Sequence, residues 1–183
     1  LVADTDEYVK AVLRKALGMK RPLLITDPGL ANLPMIKDAV ARNNAAGVPT
    51  GLFSNVQGNP TGKNVEDGIA AYKAGGHDGV IAFGGGSALD AAKAVALMIG
   101  QKRPIWDYED IGDWWTRVDP NGIATIIAVP TTSGTGSEVG RSSVISEEES
   151  HVKRVIFSPL ILARVVFADP ELTLGLPPAV TAA

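Results

Sequence analysis

The sequence GVIAFGGGSALDAAK, residues 79–93, decides the predicted fold. Its first residues form a short apolar run that is typical of a buried strand, and three consecutive glycines, Gly84, Gly85 and Gly86, follow it. The Ala-rich segment over residues 88–99 then predicts a helix, with Ser87 as its N-cap. The predicted order is therefore strand, glycine turn and helix.

This arrangement is suited to binding a phosphate. The first amides of a helix have no partner within the helix, and the helix dipole adds partial positive charge there. Glycines let a phosphate approach the backbone because they have no Cβ. The alternative is a tight turn that needs a positive φ, but three glycines before a helix favour a phosphate site.

A second glycine-rich segment, PTTSGTGSE at residues 130–138, follows the predicted strand of residues 123–129. Its hydroxyls and amides can form hydrogen bonds with a phosphate, a ribose or a carboxamide. Asp27 follows another predicted strand, at residues 22–26. A carboxylate there can accept hydrogen bonds from a ribose diol and would repel a 2′-phosphate, or it can cap the next helix.

Helical and apolar segments alternate along the chain. This alternation predicts an α/β fold with a mostly parallel sheet and helices on both faces, as one domain over residues 1–183. A ligand is expected at the carboxyl edge of the sheet. The predicted helices lie at residues 4–17, 34–46, 64–74 and 88–99, and the further strands at residues 50–53, 141–145, 152–157 and 164–168.

Four other features of the sequence carry expectations. Residues 99–122 hold all three tryptophans and are predicted to form a long excursion that packs onto its own domain. Residues 147–149 are three glutamates, predicted to be a solvated turn. Lys153 and Arg154 can either reach a ribose or phosphate or face water, and His77 is expected at the surface or at a helix end.

Composition excludes several classes of protein. The net charge of −3 gives no basis for a nucleic-acid partner, and no apolar run approaches the length of a membrane span. The absence of cysteine excludes disulfides and thiolate metal sites and fits a cytoplasmic location. With only two histidines, a metal site would depend on carboxylates, and the sequence shows no cluster of them suited to it.

The motifs together resemble a known family. The pattern GGGSxxDxxK at residues 84–93 and the run PTTSGTGSE at residues 130–138 closely resemble the iron-containing (group III) alcohol dehydrogenases. Further matches are residues 25–27, 59–61, 169–173 and 176–178, so the resemblance covers essentially the whole chain in order. Because the first motif is neither GxGxxG nor followed by GK[ST], a P-loop nucleotidase is disfavoured.

The resemblance implies a Rossmann-like N-terminal domain that binds NAD(P), and an activity that interconverts alcohols with aldehydes or ketones. It places Asp27 at the adenosine ribose, which favours NAD over NADP, and Lys153 near the ribose on the nicotinamide side. The residues whose positions match cofactor contacts of the family are Asp27, Asn59, Gly85, Gly86, Ser87, Asp90, Thr131, Thr132, Thr135, Val144 and Lys153.

The chain also departs from the family. The family's C-terminal all-helical domain holds iron or zinc through a Thr-Gly-x-Asp segment and three later histidines, and none of these ligands is found here. The resemblance therefore implies no metal ligand and no catalytic residue in this chain, which resembles the cofactor-binding domain only, shortened at both ends. We expect it to bind NAD(H) without turnover and to self-associate as a homo-oligomer through apolar surface.

Two alternatives remain from the sequence. One is a nucleotide-binding module with no catalytic role. The other is a relative of the glycerol dehydrogenases or dehydroquinate synthases, against which the run at residues 131–138 argues because it resembles the alcohol dehydrogenase branch. The identity of the alcohol cannot be predicted.

Overall fold

A computed structural model describes residues 12–13 and 17–177 of the 183-residue chain. Most of the helix predicted at residues 4–17 lies outside the described residues.

The described residues alternate between short strands and helices as the sequence predicts. The helices are α1 (Pro34–Ala45), α2 (Gly62–Ala74) and α3 (Gly86–Met98). The strands are β1 (Leu23–Ile25), β2 (Gly51–Phe53), β3 (Val80–Gly84), β4 (Ile126–Pro130), β5 (Ser142–Ser146), β6 (Lys153–Phe157) and β7 (Val165–Val166). Short 3-10 helices lie at Ile105–Tyr108, Trp114–Arg117, Pro120–Gly122, Pro159–Ile161 and Pro170–Thr173. None of the helices in this part of the chain is both long and apolar enough to cross a membrane.

Five strands form one parallel sheet in the order β2-β1-β3-β4-β7. The order reverses between β1 and β3, since the chain proceeds from β1 to β2 on one side and from β3 to β4 on the other. Open α/β sheets bind ligands outside the carboxyl ends of the strands at such a switch point. The strands predicted at residues 141–145 and 152–157 form a separate antiparallel hairpin, β5–β6.

Side chains on alternate sides of the strands enter two separate cores, which confirms helices on both faces. Leu23 and Ile25 pack into one core with residues of α2 and α3, whereas Leu24, between them, packs into the other with Ile36 of α1. This division follows from the two-residue period of a strand. All five residues of β3 are buried because this strand lies at the centre of the sheet.

Helix α3 is buried on almost every side, including the seven consecutive residues Ala91 to Leu97. The sheet covers one side of α3, and β5 lies against another, where the Ser143 hydroxyl donates a 2.7 Å hydrogen bond to the Asp90 carbonyl oxygen. A helix that is apolar all round is expected to be buried in this way. The alanines of α3 let both layers approach it closely.

The excursion between α3 and β4 packs onto the domain as predicted. Trp106 contacts the core of α2 and α3, and Trp114 stacks on the Arg117 guanidinium at 4.0 Å, while Trp115 remains 43% exposed. The Asp110 amide donates a 2.8 Å hydrogen bond to the Val155 carbonyl oxygen. The excursion thus covers the outer edge of β6, which would otherwise present unpaired backbone groups.

The close packing of α2 on α3 gives a test of the fold. A Cβ at Gly68 of α2 would lie 2.5 Å from Val95 Cγ2, and the valine has little rotamer freedom to move away. We expect Gly68→Ala to lower the free energy of unfolding by about 1–3 kcal/mol, even though alanine favours helix.

Urea denaturation at neutral pH measures this change. The matched control is Gly58→Ala, because nothing lies within 4 Å of a Cβ at that position. Equal or higher stability of the Gly68→Ala variant would contradict the packing described here.

Candidate functional site

The carboxyl ends of β1, β3 and β4 meet at the switch point of the sheet. We call residues 84–87 glycine loop 1 and residues 131–138 glycine loop 2. The Thr131 amide donates a 3.0 Å hydrogen bond to the Gly84 carbonyl oxygen, which joins the two loops at their starting points. A Cβ at Gly84 would lie 3.5 Å from Asp27 Oδ2, so the carboxylate that follows β1 lies beside glycine loop 1.

Gly84 is required by backbone conformation. Its φ is +148°, which only glycine adopts readily, and a Cβ there would lie 2.8 Å from the Cβ of Ala88. The tight turn that the sequence offered as an alternative therefore exists, at this one glycine of the three. Gly85, with a φ of −78°, has no such requirement.

Glycine loop 2 passes close to both Gly85 and Gly86, and only at Gly86 would a Cβ be closer than an ordinary contact. A Cβ at Gly85 would lie 3.4 Å from Thr132 Cγ2, and a Cβ at Gly86 would lie 3.3 Å from Thr135 Cγ2. Thr132 Oγ1 is buried and has no hydrogen-bond partner among the described residues. An unpaired buried hydroxyl is costly, so it is a natural partner for a polar ligand held between the loops.

An open cleft of about 270 Å³ lies at the N-terminus of α3. Six of the eleven residues predicted to contact a cofactor line it, from four separate segments of the chain. These six are Asn59, Gly86, Ser87, Asp90, Val144 and Lys153, and the wall is completed by Pro60 and Ser146, which the sequence reasoning did not select.

The other five predicted residues surround the two loops. Gly85, Thr132 and Thr135 form the contact between the loops, and Thr131 is buried beneath them. Asp27 Oδ1 accepts a 3.0 Å hydrogen bond from the Leu30 amide, so Asp27 caps a turn and not α1, which begins at Pro34. All eleven residues thus lie at one edge of the sheet, while their contacts with a cofactor stay predictions.

The prediction that Ser87 is the N-cap of α3 is wrong. The helix begins one residue earlier, at Gly86, with Gly85 as its N-cap and no side-chain capping bond. Ser87 lies in the first turn, and its hydroxyl accepts a 3.4 Å hydrogen bond from the Asn59 amide. Asn59 has a left-handed φ of 57°, a conformation that asparagine tolerates better than most residues. With no side chain capping it, the N-terminus of α3 keeps its amides available to a ligand in the cleft.

Asp90 is held by groups of this chain. Its Oδ1 lies 3.1 Å from the Lys93 ammonium nitrogen, and its Oδ2 accepts a 3.0 Å hydrogen bond from the Val144 amide. The Lys93 side chain is only 3% exposed. The sequence reasoning quoted Lys93 within the motif but gave it no role. Only the i, i+3 spacing of Asp90 and Lys93 on α3 signals the pair.

The charged turn between β5 and β6 is structural, contrary to its prediction as a solvated segment. Arg154 binds Glu109 and Glu147, each at 2.8 Å, and is therefore engaged away from the cleft, whereas Lys153 lines it. Glu148 accepts a 2.6 Å hydrogen bond from the Lys63 amide in the first turn of α2. These contacts fix the hairpin that carries Lys153 and Val144.

Comparisons with known proteins identify the family of this chain. The sequence model of the iron-containing alcohol dehydrogenase family matches residues 5–170. This chain belongs to that family. A choline dehydrogenase of Bacillus subtilis is 38% identical over 167 residues, which cover 91% of this chain and 41% of the relative. A 4-hydroxybutyrate dehydrogenase of Cupriavidus necator is also 38% identical over 167 residues, which cover 91% of this chain and 43% of the relative.

Solved structures of family members have the same fold. A 1,3-propanediol oxidoreductase superposes with a TM-score of 0.86 at 34% identity, covering 95% of this chain and 45% of that one. A sulfoacetaldehyde reductase of Bifidobacterium kashiwanohense, solved in complex with NAD+, superposes with a TM-score of 0.82 at 29% identity. The superposition covers 98% of this chain and 46% of that one. The chain thus spans less than half the length of each of these four relatives.

The ion pairs of the β5–β6 hairpin predict how its stability depends on pH. Hydrogen bonds from the Ser150 hydroxyl and the Arg154 guanidinium lower the pKa of Glu147 below its ordinary 4.5. A lowered carboxyl pKa stabilises the fold above pH 4.5, and this stabilisation is lost as the pH falls through the folded-state pKa. We expect Glu147→Gln to be less stable than wild type at pH 7 and to approach it near pH 3.

The urea midpoint of each protein at the two pH values measures this. Glu149→Gln is the control. This substitution removes the same charge, but the Glu149 side chain has no hydrogen-bond partner among the described residues. A Glu147→Gln deficit that stays constant with pH would show that the ion pair is not its cause.

Proposed function

We propose that this chain binds NAD(H) in the cleft at the N-terminus of α3, beside its two glycine loops, and serves as the cofactor-binding part of an enzyme that interconverts alcohols with aldehydes or ketones. The observation that carries the proposal is the convergence of residues from four segments on one cleft at the N-terminus of α3. The NAD+ complex of the related sulfoacetaldehyde reductase supports it.

The N-terminus of α3 suits the pyrophosphate. Gly86 and Ser87 line the cleft as the first two residues of the helix, where amides and dipole together favour an anion. The unpaired Thr132 hydroxyl on the facing loop supplies a further hydrogen-bonding group. The described residues therefore fit a dinucleotide, with a cradle that side chains at Gly85 and Gly86 would fill.

The two ends of the dinucleotide are assigned from their chemistry. Asp27, half-buried after β1, would accept hydrogen bonds from the adenosine ribose, and its charge would repel the 2′-phosphate of NADP. Asn59, Val144 and Lys153 line the cleft and would hold the nicotinamide-side ribose and ring. When bound, NAD accepts or supplies the hydride; the residues of this chain orient it and hold its charged groups.

The metal implied by the family name is a separate matter. Within residues 12–13 and 17–177, no group of three or more His, Cys, Asp or Glu side chains is placed to hold a metal ion. The described residues therefore do not fit the iron or zinc centre of the family. We propose that this chain alone binds NAD(H) without turning over an alcohol.

The first test of this proposal is a titration of the purified chain with NADH and NADPH, followed by energy transfer from tryptophan. We expect saturable binding that favours NADH. Asp27→Asn removes the repulsive charge and should reduce the preference for NADH over NADPH about tenfold, chiefly because NADPH binds more tightly. Asp38→Asn, which removes an exposed charge on α1, is the control. Equal binding of both cofactors by wild type would contradict the role of Asp27.

A second test distinguishes the cofactor part of an enzyme from a nucleotide-binding module with no catalytic role. The isolated chain should show no alcohol-dependent reduction of NAD+ with added Fe2+ or Zn2+. Joined to the remaining half of a relative such as the 1,3-propanediol oxidoreductase, it should restore turnover. Turnover by the isolated chain, or none in the joined protein despite cofactor binding, would contradict the proposal. The family match favours an alcohol dehydrogenase over a glycerol dehydrogenase or dehydroquinate synthase relative.

Self-association and a cytoplasmic location stay predictions. Leu160, Leu162 and Leu174 are among the exposed large apolar side chains, with Leu174 81% exposed. They are compatible with association through apolar surface, which sedimentation of the purified chain at increasing concentration would measure.

A further inference from the structure

Lys93 is a buried cation whose donors are all engaged within the chain. Its ammonium group contacts the Asp90 carboxylate at 3.1 Å and donates hydrogen bonds to the carbonyl oxygens of Ser137, at 3.0 Å, and Ser142. Burial lowers the pKa of Lys93, and the Asp90 carboxylate opposes that shift. A buried charge is tolerated only when it is paired and hydrogen-bonded, so this geometry demands a fixed arrangement of all four groups.

Three separate segments meet at this ammonium group. Asp90 and Lys93 belong to α3, Ser137 belongs to glycine loop 2, and Ser142 begins β5. Asp90 extends the connection because its Oδ2 accepts the Val144 amide. The pair thus fixes the position of glycine loop 2 and of β5 relative to the helix whose N-terminus opens into the cleft.

The ion pair of Asp90 and Lys93 also sets the net charge at the wall of the cleft. Asp90 lies three residues after Ser87 and four after Gly86, which places all three on one face of α3, with neighbouring Cβ positions about 5–6 Å apart. All three line the cleft. A bare carboxylate at this distance would repel a diphosphate bound at the helix N-terminus, whereas a carboxylate paired with an ammonium group presents little net charge.

We propose that Lys93 is a positioning residue for nucleotide binding. It neutralises Asp90 behind the diphosphate, so that the cleft accepts a diphosphate that Asp90 alone would reject. Lys93 touches no part of the cofactor and acts through Asp90. This inference rests on the proposed binding of NAD(H).

The test compares ADP with adenosine as probes, by calorimetric titration of the whole chain. Lys93→Met should weaken ADP binding about tenfold or more, because it leaves the Asp90 charge unpaired, and should change adenosine binding less than about twofold. Adding Asp90→Asn to the Lys93 variant should restore ADP binding to within about threefold of wild type. Lys63→Met, which removes an exposed lysine of α2, is the control for net charge.

The outcomes separate a charge effect from loss of structure. Weakened ADP binding that Asp90→Asn does not restore, or an equal loss for adenosine, would overturn the proposal, since both indicate general disruption. If Lys93→Met does not fold, Lys93→Gln decides, because it keeps a hydrogen-bond donor at this position without the charge: weaker ADP binding with adenosine binding unchanged supports the proposal, and ADP binding equal to wild type overturns it.

The proposed function can fail separately. If wild type binds neither ADP nor NADH, the proposed function fails and this inference fails with it. If wild type binds both and the Lys93 variant binds ADP as well as wild type does, only the role of Lys93 is overturned.

Discussion

The burial of α3 between the parallel sheet and the β5–β6 hairpin is the constraint on which the site depends. The helix leaves β3 through a turn that only glycine can form at Gly84, and its alanines let the sheet and the hairpin approach. Its N-terminus is thereby fixed at the switch point, between β1 and β4. Every residue that we assign to the cofactor is placed by this helix or by a segment that packs against it.

The electrostatics of the cleft follow from the same packing. A helix N-terminus favours an anion by about 0.3–1 kcal/mol, and up to about 2 kcal/mol in a partly buried site. At the spacing of about 5–6 Å between neighbouring positions on a helix face, a full negative charge would oppose the binding of a phosphate by about 3 kcal/mol at an effective dielectric constant of 20. An unpaired Asp90 would therefore outweigh the helix dipole. In the proposed binding mode, the buried ammonium group of Lys93 removes this conflict and explains why the cleft can contain a carboxylate.

The sequence predicted the parallel α/β fold and the position of the glycine loops because these depend on local patterns. Apolar runs, glycine turns and Ala-rich segments predict strands, turns and helices, and the carboxyl ends of parallel strands must share one edge.

The sequence did not show that Lys93 joins three segments, because two of its partners are backbone carbonyl groups that lie 44 and 49 residues away in the chain. No side-chain pattern marks a carbonyl group as an acceptor. The roles of Glu148 and Arg154 were also missed. They depend on how the hairpin packs against α2 and the excursion, which no local pattern in the sequence indicates. Ser87 was misassigned because serine is the better N-cap by preference, whereas glycine is also accepted there, and the helix begins one residue earlier, at Gly86, with Gly85 as its N-cap.

The most direct test of the account is the change in backbone amide chemical shifts when ADP is added to the 15N-labelled chain. The account predicts that the largest changes occur in glycine loop 1 and the first turn of α3, followed by glycine loop 2, because the diphosphate is proposed to bind at the helix N-terminus with glycine loop 2 beside it. Changes confined to the larger cavity beside α2, which Trp106 and Glu148 line, would contradict it, as would the absence of any change at saturating ADP.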